Sequence, residues 1–198
     1  RDGVLEVLRG DVSQVQATRR IDATGRVVSP GFIDVHAHSG LVILSEPEHM
    51  PKVHQGVTTE VIGIDGNSYA PFKNPLDLDH MIRINSGLDG DPDLPGRWNT
   101  VSEYLELFDR KVAVNIAYVV GNSPLRVGAM GWGSNAAAKK DMENQKALLR
   151  EAMAEGAFGI STGLDYPPGN FADTDELVEL SKEAAKPGGF YHTHVRYR

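Results

Sequence analysis

Residues 31–40 read GFIDVHAHSG, the close of an apolar run that starts at Val27, reaches Val35 and ends in two histidines, His36 and His38. A strand turns successive side chains to opposite faces, so His36 and His38 are expected to share a face, with Asp34 one step earlier on it. Ser29-Pro30-Gly31 punctuates the chain in front and Ser39-Gly40 opens a loop behind. The pair therefore reads as the end of a buried strand rather than as part of a polar loop. Two imidazoles in that position suit a divalent metal, because α/β barrels place metal ligands at strand ends.

The chain of 198 residues is long enough for one sizeable core, and its hydrophobic (40%) and charged (24%) fractions are those of an ordinary globular protein. A net charge of -7 and a pI near 5.5 argue against a nucleic-acid backbone or an anionic membrane surface as partner. Without cysteine there is no disulfide framework, no thiolate zinc site and no cysteine nucleophile. No apolar run approaches the ~20 residues that span a bilayer, and the N-terminus lacks a signal-peptide pattern. A cytoplasmic protein is expected. The chain opens on Arg1 without an initiator Met and stops at YHTHVRYR, straight after a strand-like segment. An internal piece of a longer protein, inactive by itself, is the expectation.

Taken in order, residues 1–28 read as short strands and turns, with a strand over 4–8 and a tight turn at Thr24-Gly25: the remnant of a small β unit. The main domain is expected over 29–198. Its strands are placed at 27–35, 57–63, 112–120, 157–161 and 190–195. Helices are placed at 48–55, 138–155 and 174–185, together with one over 101–109 that Thr100 and Glu103 begin with a capping-box pattern. Residues 69–95, rich in Pro, Gly and Asp, read as loop with one helical turn near 78–84. Strand and helix thus alternate five times, which calls for parallel βαβ units. Five units are too few for an eightfold barrel of ~250 residues, so the fold class is α/β, a partial TIM (β/α)8 barrel.

The expected strand ends collect His36, His38, Asp65, Tyr166, His192 and His194. Imidazole nitrogens and a carboxylate oxygen suit zinc, which keeps a position for water. Asp65 precedes Gly66 and so also fits a turn; of His192 and His194, only one need be a ligand.

Four motifs in this order, GFIDVHAHSG, GVTTEVIGIDGNSYAP, STGLDYPPG and FYHTHVR, resemble the amidohydrolase superfamily and, within it, the D-aminoacylase (N-acyl-D-amino-acid deacylase) group. The resemblance implies one or two Zn²⁺ ions, with His36 and His38 as paired first-strand ligands and His194 as the fifth-strand histidine of the more tightly bound ion. It implies that Tyr166 lies beside the scissile amide and that a metal-bound water is the nucleophile. Asp65 stands where the best-known D-aminoacylases carry a metal-binding cysteine, and Asn122 where a histidine is expected. Residues 160–169 contain no lysine, unlike the amidohydrolases that bridge two metals with a carboxylated lysine. The general-base aspartate and a sixth-strand histidine would lie beyond residue 198. The implied partner is a small N-acyl amino acid. Rival readings are a deaminase of the same superfamily and a non-catalytic binding protein on a degraded barrel. The oligomeric state is open.

Overall fold

A computed structural model describes residues 6–196 and divides the chain into two compact units, Arg1–Pro30 and Gly31–Arg198. Among the described residues of the first unit there is no helix or strand. The turn expected at Thr24-Gly25 is present: the Arg26 N–H donates to the Ala23 carbonyl at 2.9 Å, and Gly25 takes a positive φ of 72°. The strands expected there are not. A strand needs a neighbour for its N–H and C=O groups, and Val7, Val12, Val15 and Ile21 all face water instead. The expected strand at 4–8 lies partly outside the described residues; 6–8 are not in one.

Among the described residues of the second unit six strands follow the chain: β1 (Phe32–Asp34), β2 (Val57–Ile62), β3 (Asn115–Tyr118), β4 (Val120–Gly121), β5 (Gly159–Gly163) and β6 (Phe190–His194). β1-β2-β3 form one sheet and β4-β5-β6 another. The third expected strand is stepped at Val119, so that β3 pairs with β2 and β4 with β5. The Val119 N–H still donates to the Ile62 carbonyl at 3.0 Å, which keeps the two pieces in line.

β1 is shorter and more exposed than its apolar sequence implied. Phe32, Ile33 and Val35 are all more than half exposed, and Val27 and Val28 lie outside the strand. Among the described residues β1 pairs on one side only, with β2, whereas β5, paired on both sides, is buried at every position. β5 starts at Gly159 rather than Ala157 because Ala157 still donates its N–H to the Ala152 carbonyl in the preceding helix, and it runs on to Gly163.

Among the described residues seven α-helices accompany these strands: α1 (Val42–Ser45), α2 (Met50–Val53), α3 (Pro75–Asp89), α4 (Val101–Glu106), α5 (Asn122–Met130), α6 (Lys139–Ala154) and α7 (Thr174–Ala185). The capping box of α4 forms as read, with Thr100 Oγ1 accepting from the Glu103 N–H at 3.1 Å and Glu103 accepting in return from the Thr100 N–H. α3 runs for 15 residues where one turn was expected. Asn74 caps it, Pro75 occupies its first position, and Leu78, Met81 and Ile82 bury one face. α5 was not expected at all. It starts directly at the end of β4, with Pro124 in the first turn, where an absent N–H costs nothing.

Ile62, Tyr118, Val120, Leu125, Leu149 and Ile160 belong to one continuous core between sheet and helices. No described helix is long and apolar enough to cross a membrane.

Candidate metal centre

The chain leaves β1 after Asp34, so both histidines follow the strand instead of sitting on it. The Ala37 N–H donates to the Val61 carbonyl at 3.1 Å, which holds this stretch beside β2. Ala37 is buried, while the imidazoles on either side of it turn into one space. Asp34, expected on their face, does not join them. Its Oδ1 accepts the His36 N–H at 3.0 Å and its Oδ2 pairs with the Lys52 ammonium. Strand alternation has ended there, and the Lys52 ammonium gives the carboxylate a charged partner outside the group.

Asp65 arrives from the turn after β2. It adopts a left-handed φ of 55°, a conformation aspartate tolerates better than most residues, so it is both turn residue and site residue. The turn threads against β4 and β5 at positions that must lack a side chain. A Cβ on Gly163 would lie 1.9 Å from the Asp65 carbonyl oxygen, and one on Gly121 would lie 2.2 Å from that of Gly66. Ser161 fastens it: its Oγ accepts the Gly66 N–H at 3.1 Å and donates to the Gly63 carbonyl at 2.5 Å.

The result is a tight group. His36 Nε2 lies 3.2 Å and His38 Nε2 3.3 Å from Asp65 Oδ2, and one potential ligand atom from each residue falls within 4.8 Å of the others. His194 stands one step farther out, with Nδ1 at 3.9 Å from the same oxygen and Nε2 at 3.7 Å from Asp165. Tyr166 places its hydroxyl 3.5 Å from His194 Nε2. His192 contacts the first histidine, Nε2 to His36 Nδ1, at 3.3 Å. Asn122, fully buried, donates its amide to the Gly169 carbonyl at 3.0 Å and so anchors the far end of the loop that carries Tyr166.

Electrostatics bind the group together. Hydrogen bonds to Asp65 first and then to Asp89 raise the His38 pKa to about 9, against the opposing effect of burial. For Asp65, burial favours the neutral acid, but the His38 hydrogen bond and the charges of His36, His38 and His194 outweigh it and hold the carboxyl below its ordinary value. His192 is lowered by burial and then by the charge of His36. The donor set fits a divalent cation: two imidazole nitrogens face one carboxylate, whose other oxygen, Oδ1, is buried without a hydrogen-bond partner among the described residues.

Two further carboxylates join the surroundings of the group: Asp89, which reaches His38 Nδ1 at 3.0 Å, and Glu60. Glu60, fully buried on β2, takes the Ser39 hydroxyl, His49 Nε2 at 3.1 Å and Lys52 at 3.1 Å, and so ties the loop after His38 to its neighbour. A charged residue inside the β-branched run 57–62 was the available signal for Glu60. Asp89 had none.

Residues 19–186 match the model of the amidohydrolase family. The chain belongs to that family. Within it the likeness is to the D-aminoacylase group that the four motifs resemble. The chain is 40% identical over 191 residues to a D-aminoacylase of Alcaligenes xylosoxydans xylosoxydans, covering 94% of this chain and 38% of that protein. A crystal structure of D-aminoacylase superposes with a TM-score of 0.79 at 40% identity, over 95% of this chain and 39% of that one. N-acyl-D-glutamate deacylase from Bordetella bronchiseptica, complexed with zinc and a phosphonate mimic of the tetrahedral intermediate, superposes at 0.75 and 34% identity, over 89% and 36%. The chain therefore spans less than two fifths of the amidohydrolases it matches.

Proposed function

We propose that the full-length protein hydrolyses the amide bond of N-acyl-D-amino acids, and that residues 29–198 form the first five strand–helix units of its (β/α)8 barrel. The observation that carries this reading is the convergence of His36, His38 and Asp65, from two separate segments, on a group of donor atoms within 4.8 Å. The names of the deacylase relatives, at 34–40% identity, support N-acyl-D-amino acids as the substrate class.

In this reading His36, His38 and Asp65 hold a zinc ion, with His194 completing the set or serving a second ion. When bound, zinc supplies Lewis-acid polarisation of the carbonyl and a water nucleophile at neutral pH. Asp65 contributes an anionic oxygen that offsets the charge of the cation in a buried setting. Tyr166 donates its phenolic proton to the substrate carbonyl oxygen, an interaction that strengthens as negative charge develops there. The loop of Tyr166 is kept in place by the Tyr166 N–H bond to Gly163 and by the Asn122 clamp on Gly169.

The test is hydrolysis of paired N-acetyl-D- and N-acetyl-L-amino acids by the full-length protein, with free amino acid and ammonia measured separately. The expected result is free amino acid from the D series, abolished by a chelator and restored by zinc. Ammonia release would support the deaminase rival, and no turnover of either series in zinc-loaded protein would contradict the assignment.

A further inference from the structure

α3 ends on Asp89, where a helix least favours a carboxylate. The last turn already presents unpaired carbonyl oxygens and the negative end of the helix dipole, and α3 has no basic residue there. Asp89 is also 6% exposed, so water does little to stabilise its charge. Local preference and burial both oppose this residue, a conflict expected where a site requires it.

Both oxygens of Asp89 are committed. Oδ1 lies 3.0 Å from His38 Nδ1, and Oδ2 accepts the hydroxyl of Tyr69. Tyr69 is itself buried, and its carbonyl is fixed by the Trp98 indole N–H at 2.6 Å. Asp89 thus addresses the edge of the His38 ring opposite Nε2, the nitrogen that lies 3.3 Å from Asp65. A carboxylate so placed shares no ligand position with Asp65. It acts through the ring.

A neutral imidazole carries one proton, and an acceptor at Nδ1 keeps it there, leaving the Nε2 lone pair for a metal. His36 has a different partner at its Nδ1, the imidazole of His192 at 3.3 Å. His38 is therefore the histidine of the pair with an anionic partner behind it. A carboxylate there also makes the ring a stronger donor.

We propose that Asp89, backed by Tyr69, is a positioning residue that fixes the tautomer and orientation of His38 and raises the affinity of the His36–His38–Asp65 group for a divalent cation. This rests on the metal reading of that group. The arrangement joins α3 to the site across 51 residues of chain.

Zinc affinity of the full-length protein, measured by competition with a chromophoric chelator, tests it. Asp89→Leu is expected to weaken zinc binding about 10–100-fold. Asp89→Asn keeps an acceptor oxygen beside Nδ1 and should recover most of that loss, and Tyr69→Phe should fall between it and wild type. Cobalt-loaded protein supplies the second readout: its visible bands should shift in Asp89→Leu and return towards wild type in Asp89→Asn, a response that loss of mere packing does not give. A folded Asp89→Leu variant with wild-type cobalt bands and zinc affinity within about threefold of wild type overturns the proposal. If that variant does not fold, Tyr69→Phe decides, and unchanged affinity with unchanged bands overturns it. Wild-type protein that binds no zinc removes the metal reading as well; zinc bound by wild type and variants alike removes this proposal alone.

Discussion

Tyr166→Phe in the full-length protein is expected to lower kcat about a hundredfold to a thousandfold while leaving KM nearly unchanged. The substitution keeps the ring and removes only the hydroxyl, which lies 3.5 Å from His194 Nε2. Two roles compete for this side chain. As a packing ring it rests against Gly163, where a Cβ would come within 2.8 Å of its Cδ2, and packing serves ground and transition states alike. As a donor to the substrate oxygen it acts most strongly once charge has developed, so its loss falls on kcat. Steady-state kinetics at matched zinc content separate the two: near wild-type kcat would leave Tyr166 a structural residue.

The second large effect is on stability. Arg126 is fully buried on α5, its guanidinium paired with Glu176 of α7 and donating to the Asn135 carbonyl at 2.7 Å. Gln145 of α6 donates to the other Glu176 oxygen at 3.1 Å, so three helices meet on one carboxylate. Arg126→Ala leaves that carboxylate buried and without its cation, and the expected loss is about 3–5 kcal/mol. Replacing both charges with apolar side chains of similar size, Arg126→Met with Glu176→Leu, is expected to cost far less, because burying the pair already opposed much of its attraction. Urea unfolding of the two variants checks this. A loss below about 1 kcal/mol for Arg126→Ala would mean that the helices are held by their apolar contacts alone.

What could be read from the sequence was what depends on near neighbours. α4 was placed from its capping-box residues and α6 from its apolar spacing, both local properties of the chain. β5 and β6 followed from short apolar or β-branched runs between glycine-containing punctuation. α3 was hidden because its flanks are rich in Pro, Gly and Asp, although Asn74-Pro75 is itself a helix start. α5 was hidden because no loop residue separates it from β4. The step at Val119 leaves no mark, since it is made by which neighbour each half of the strand meets.

The site divides in the same way. His36, His38, Asp65, Tyr166 and His194 were expected to converge because chemically able residues at strand ends of an α/β fold tend to do so, and the structure brings the first three within 4.8 Å of one another with His194 and Tyr166 beside them. Asp34 was misplaced by carrying strand alternation past the point where the strand stops, and Lys52, 18 residues away, decides where its carboxylate goes. Asp89 and Glu60 act through contacts that only the folded chain creates, at separations that no periodicity encodes.

X-ray diffraction from crystals of the full-length protein, recorded on either side of the zinc absorption edge, tests the metal centre most directly. An anomalous peak is expected about 2.0–2.2 Å from His36 Nε2, His38 Nε2 and an Asp65 carboxylate oxygen. Zinc-replete crystals with no peak at those three residues, or with the ion held elsewhere while His36 and His38 bind nothing, would contradict it.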